Sequence, residues 1–133
     1  MTELAPFAHE SAAVAWANLP LGARLFRIAH VVWGVFNLAG LAWIWRAALL
    51  RRRDRYVDWS VGLLLAEGGA LVVGRGNCPF GPLQTRLGDP VPMFELVLPP
   101  RAAKAAIPAL TVVTLAALIG LVLRPPTGDG PTT

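Results

Sequence analysis

The sequence predicts an all-α integral membrane protein: a helical bundle of three transmembrane helices, a short interfacial N-terminal helix and a structured Pro-rich loop. Two observations carry that expectation. The first is composition. Of 133 residues, 55% are apolar and only 15% charged, and mean hydropathy is +0.54. A soluble domain usually carries about 25% charged residues, so too little charge is present to cover a water-facing surface. A disordered chain, a disulfide scaffold and most soluble enzymes are thereby excluded. The second is the presence of three apolar runs, each near the roughly 20 residues that cross about 30 Å of hydrocarbon. Helices are the expected form, because a spanning segment must satisfy its own backbone hydrogen bonds and none of the runs alternates as a barrel strand would.

In chain order, residues 1–24 form the interfacial N-terminal segment. Pro6, Phe7, Val14, Trp16 and Leu19 are scattered among polar residues, and Asn18-Leu19-Pro20 closes the stretch with a turn signal. Residues 7–18 are expected to lie as a short helix at the interface, and the start shows no signal-peptide pattern. The first span covers 26–45, the second 57–74 (interrupted by Glu67) and the third 105–123, which carries no charge. An ordered loop is expected over 75–104, and a flexible Pro/Gly/Thr-rich tail over 124–133.

The balance of twelve basic against eight acidic residues gives a net charge of +4. Its placement at the ends of the apolar runs argues for membrane topology and against nucleic acid. Arg46, Arg51, Arg52, Arg53, Arg55 and Arg124 fall on one side; Arg24, Arg27, Arg75, Arg86, Arg101 and Lys104 fall on the other. Number alone is a tie. Density favours the short first loop as cytoplasmic, with Trp43, Trp45, Tyr56 and Trp59 as an aromatic belt beside it. The expectation is a multi-pass protein of the cell (inner) membrane, with the N-terminus and loop 75–104 outside and loop 46–56 and the C-terminus cytoplasmic.

Polar groups inside apolar runs are costly and demand a partner or a purpose. His30, Gly34, Asn37 and Leu41 share one face of the first span by helical spacing. At 1.5 Å per residue, Asn37 sits about 15 Å deep, Glu67 about 13 Å and His30 about 5 Å. Asn37 is therefore the level partner for Glu67. One account has these groups bond across two helices to fix register, at roughly 0.6–2 kcal/mol, with Gly68 and Gly69 permitting close approach. Another makes His30, Asn37 and Glu67 a proton-relay or ligand site. A third turns Glu67 toward a partner protein. Nothing specifies haem at His30, and no cofactor or metal is expected.

The loop Arg75–Lys104 holds six prolines and three glycines, too many for a long helix. Its apolar residues still need burial, which implies a compact cap on the bundle and a candidate binding surface at Cys78, Pro79, Phe80, Pro82, Phe94 and Glu95. Cys78 reads either as a thiol that binds a metal or partner or as a small packing residue; no second cysteine exists to bridge it. Asp89 and Glu95 read as turn and surface groups. Thr111 and Thr114 are expected to bond back to their own helix.

His30, Trp33, Phe36 and Gly40 in the first span, then Cys78, Pro79, Pro82 and Leu83, followed by Leu87, Gly88 and the pair Phe94-Glu95, form a pattern. It resembles a bacterial family of small multi-helix membrane proteins classed as a domain of unknown function. The likeness covers residues 28–123 and implies the membrane-helix architecture without an activity. The family pattern has an acid where this chain has Gln84, and its helix acid lies nearer the cysteine than Glu67 does to Cys78.

No nucleophile–base pair, phosphate loop or paired catalytic carboxylates can be read from the sequence. The expected function is a non-catalytic accessory or scaffold subunit of a larger membrane assembly. It would be held by lipid and by a membrane-protein partner or a second copy, with the small residues Thr114, Ala117 and Gly120 suited to helix packing. A small carrier or ligand-binding protein centred on His30, Asn37 and Glu67 is the alternative, and a membrane enzyme comes third.

Overall fold

The computed structural model describes residues 16–127. Four α-helices follow one another: α1 (Leu21–Leu50), α2 (Arg55–Val73), α3 (Phe80–Arg86) and α4 (Pro100–Leu123), with a 3₁₀ turn at Met93–Leu96 between α3 and α4. No strand occurs among the described residues. α1, α2 and α4 are each long and apolar enough to cross a membrane. The all-helical bundle expected from the apolar runs is the architecture observed.

Local chemistry sets the boundaries. α1 starts after Pro20 and ends where Arg51 turns left-handed at φ 54°. α2 starts at Asp54, whose side chain accepts the Val57 amide at 3.0 Å, the usual N-cap arrangement. The same carboxylate accepts the Trp43 indole N–H at 3.1 Å, tying the loop back to α1. α4 opens on Pro99-Pro100, with proline in its first turn where no amide donor is needed. Thr111 hydroxyl donates to the Ile107 carbonyl at 2.9 Å, the back-bond its position predicts.

The helices outrun the hydrophobic stretches. α1 takes in residues 21–24, expected in the interfacial segment, because the chain is already helical before it becomes fully apolar. At the far end Ala47 and Ala48 are buried as well. α4 takes in residues 100–104, expected in the loop. The interfacial helix expected over 7–18 lies largely outside the described residues; Trp16 and Ala17 are helical. Arg124–Thr127 leave the helix and are exposed, and the rest of the tail lies outside the described residues.

α1 is the spine, packed on α2 along one face and on α4 along another, while α2 and α4 barely touch each other. Leu41 and Ile44 of α1 and Ala117 of α4 form the buried core, flanked by Val61 and Leu64 of α2 and Leu110, Leu118 and Leu121 of α4. Small residues set the close approaches. A side chain at Gly40 would meet Ser60 at 3.4 Å, and one at Gly120 would meet the Ala48 methyl at 3.6 Å. The small-residue stripe of the third span is therefore used inside the bundle. Outward-facing residues stay apolar: Trp59, Val72, Val73 and Val122 are each more than three-quarters exposed, a surface that suits lipid and not water.

Candidate functional site

One end of the bundle, where α1 begins, α2 ends and α4 begins, carries the cap made by residues 75–99. Three features shape it. At the end of α2 the chain turns so tightly that a Cβ at Gly74 would lie 2.2 Å from the Asn77 carbonyl oxygen. Arg75 and Gly76 follow at φ 55° and 83°. This turn delivers Cys78 to the start of α3. Gly88, at φ 97°, then reverses the chain and sends Asp89 inward. On α1, Ala23, Arg27 and His30 recur at helical spacing and are buried under this cap.

These residues form one continuous hydrogen-bonded chain. Arg27 donates to Asp89 through Nε (2.6 Å) and through Nη2, a two-point contact. Gln84 Nε2 donates to Asp89 Oδ2 at 3.0 Å and to the Val91 carbonyl at 2.6 Å. Gln84 Oε1 faces His30 Nδ1 at 3.1 Å, and His30 Nε2 lies 3.4 Å from Cys78 Sγ. Phe26 and Phe80 pack their rings on the imidazole at 5.9 and 5.6 Å. Trp16 lies 5.6 Å from the Arg27 guanidinium, within cation–π range.

The chain fixes protons as well as positions. Two carbonyl or carboxylate acceptors hold the Gln84 amide nitrogen, so its oxygen must face His30. An amide oxygen only accepts, hence His30 Nδ1 carries a proton. In the neutral ring Nε2 then presents its lone pair to the thiol. Burial pushes the Cys78 thiol up, but the His30 bond, the Phe80 backbone N–H and the His30 charge outweigh it, and the thiol sits below its ordinary value. Burial likewise pushes Asp89 up. The bond to Arg27, the Val91 amide at 3.1 Å and the Arg27 charge win, and its carboxyl lies below the ordinary carboxylate range.

The trio expected on the apolar spans is not brought together. Asn37 Nδ2 bonds the Trp33 carbonyl one turn back on its own helix, at 3.0 Å, and Asn37 Oδ1 is buried without a partner among the described residues. Glu67 instead accepts the Trp33 indole N–H at 3.0 Å. The indole reaches farther across the helix gap than the short amide, which finds a nearer acceptor at home. His30 turns to the cap. Of the expected loop surface, Pro79 caps α3, Phe80 packs on His30, Pro82 is exposed, and Phe94 and Glu95 are half-buried in the 3₁₀ turn. Met93 of that turn sits over Gly34, within 3.2 Å of where a Cβ would be.

Asp89 corrects the expectation of a surface turn group: it is 1% exposed because Arg27 and Gln84 enclose its carboxylate. Arg27, counted among boundary charges, is 5% exposed for the same reason. The absence of a histidine near Cys78 in sequence hid their meeting, 48 residues apart. Among the described residues no group of three metal-ligating side chains assembles. Comparison with known proteins finds no family match, no matching curated protein and no matching solved structure.

Proposed function

We propose that this is a multi-pass membrane protein that works through Cys78, a nucleophilic thiol served by His30 at the bilayer boundary. The observation that carries the proposal is the imidazole held between Gln84 Oε1 at Nδ1 (3.1 Å) and Cys78 Sγ at Nε2 (3.4 Å). Nucleophile, base and a third group orienting the base is the arrangement that activates a thiol. The S–H proton passes to Nε2, the thiolate adds to an electrophilic carbon, and the imidazolium returns the proton to the leaving group. An activated acyl group fits this chemistry. The sequence holds one cysteine, so a disulfide cycle would need a thiol from another molecule. Arg27, Asp89 and Gln84 are positioning residues. In this reading the cap faces the extracytoplasmic side and the Arg51–Arg55 loop the cytoplasm, by the density of arginines.

Alkylation of the full chain in detergent by iodoacetamide tests the proposal. Native protein is expected to react faster than His30→Gln at neutral pH, with the difference closing at alkaline pH, since a thiol held below its ordinary pKa carries more thiolate near neutrality and both are fully ionised above it. Equal rates and equal pH profiles would leave Cys78 as a packing residue. Labelling of intact cells by an impermeant maleimide checks the side: labelling only after lysis reverses the orientation.

The accessory-subunit reading keeps one observation in its favour. Val112, Leu115, Ile119 and Val122 make a continuous exposed apolar face on α4, wide enough for a partner helix. A cysteine introduced at position 115 that crosslinks in stoichiometric yield to one membrane protein would support it; lipid-only contact would count against it.

A further inference from the structure

We infer that the opposite end of the bundle holds a seat for one anionic phospholipid, phosphate on Arg55 and an acyl chain along α2. The inference rests on the spans lying in lipid and is independent of the chemistry at Cys78. An open cleft of about 580 Å³ is lined by Arg55, Asp58, Trp59, Gly62 and Leu63. These residues recur at helical spacing, so they form one stripe of α2 that is charged at the helix start and apolar below. A Cβ added at Gly62 would meet nothing within 4 Å, and Trp59 is 77% exposed. The result is an open apolar recess beside an aromatic ring, one to two turns below the charged start of α2.

Charge complementarity selects the occupant. Between positions 46 and 58 the chain carries five arginines and two aspartates. Both acids are already engaged. Asp58 takes Arg53 through two contacts, at 2.9 and 2.7 Å, and Asp54 takes the Trp43 indole and the Val57 amide. Arg55 is left with the Tyr56 hydroxyl at 3.1 Å and the Tyr56 ring at 5.0 Å, and its guanidinium has no carboxylate among the described residues. Arg46 is stacked on Trp43 at 4.7 Å, Arg51 donates to the Pro125 carbonyl, and Arg52 is exposed but does not line the cleft, which leaves Arg55 as the arginine placed in it. A phosphate diester supplies the anion that Arg55 lacks, in the two-point geometry a guanidinium favours. Phosphatidylcholine brings a quaternary ammonium into the same arginine field and is disfavoured.

The test reconstitutes the full chain in vesicles of equal parts phosphatidylglycerol and phosphatidylcholine, extracts it in mild detergent and weighs it intact with its bound lipid. The native protein is expected to retain phosphatidylglycerol about fivefold over phosphatidylcholine, the gain of roughly one arginine contact. Arg55→Gln should bring that ratio close to one. Gly62→Leu, whose Cβ would meet no other group, should lower retention of both lipids. Glycerol phosphate in excess should displace neither. Equal retention by native protein overturns the proposal. So does an Arg55→Gln ratio unchanged from native, which would leave only a diffuse arginine field, or retention indifferent to Gly62→Leu. Displacement by glycerol phosphate would make the site one for a free anion, and a lipid-free dimer would make it a protein interface; either outcome also overturns it.

Discussion

Each end of the bundle holds an arginine–aspartate pair, and the two pairs do different work. Arg27–Asp89 joins residues 62 apart in sequence, with side chains 6% and 0% exposed. Arg53–Asp58 joins residues five apart at the start of one helix, with side chains 50% and 59% exposed. The inner pair docks the cap on α1 and begins the chain of bonds that ends at Cys78. The outer pair neutralises a carboxylate that lines the open cleft on α2. Identical chemistry is thus structural glue at one end and surface charge at the other, because desolvation makes a lost partner expensive only where water cannot replace it.

The largest expected effect follows from breaking the inner pair on one side. Asp89→Ala leaves Arg27 buried without a counter-charge and should cost about 3–5 kcal/mol of stability in detergent. Replacing both partners with apolar residues of similar size should recover most of that loss. If Asp89→Ala costs no more than an exposed pair does, the two ends are alike and the contrast fails. Next comes the turn that presents the thiol. Gly74→Ala would drive a methyl into the Asn77 carbonyl at 2.2 Å, a clash only backbone movement relieves. We expect about 1–3 kcal/mol together with slower Cys78 alkylation. Alkylation that stays fast would show that the turn does not align the thiol.

The inner pair also sets a pH limit. Asp89 is held below the ordinary carboxylate range when folded. Its stabilisation is therefore complete above that range and is lost only as pH falls through the lower, folded value. Unfolding temperature should be flat from neutral to mildly acidic pH and drop in stronger acid, and Asp89→Asn should remove that dependence. A drop that begins near neutrality would point to a different group.

How much of this was legible in the sequence differs by region, for one physical reason. The spans are local: apolar runs of bilayer length state their own helices, and Asp54 before Val57 states its own cap. The cap is not local. Cys78 and His30 meet because Gly74, Arg75 and Gly76 fold the chain back, and Gln84 meets His30 across 54 residues of sequence. One signal was present. Arg27 is a charge inside the first apolar stretch, and the rule that such a charge demands a partner applies to it as much as to Glu67. An acid set between Gly88 and Pro90, where turn residues fix its direction, is the natural candidate. Asn37 and Glu67 mislead for the opposite reason. Level depth makes two groups possible partners, but a nearer carbonyl and a longer indole each offered a better bond.

The smallest expected effect tests the outer pair. Arg53→Ala frees an exposed carboxylate that water solvates at once, so stability should change by about 0–1 kcal/mol and less at high salt. Its consequence lies elsewhere. Asp58, no longer neutralised, lines the same cleft as Arg55 and repels a phosphate there. Arg53→Ala should therefore lower retention of phosphatidylglycerol while leaving phosphatidylcholine as it was, with Cys78 alkylation unchanged at the far end. Asp58→Ala should act in the opposite direction on lipid, again with little change in stability. If either substitution instead costs several kcal/mol, the outer pair is holding structure as the inner one does. If both leave lipid retention untouched, the charge beside the cleft is a solvated face.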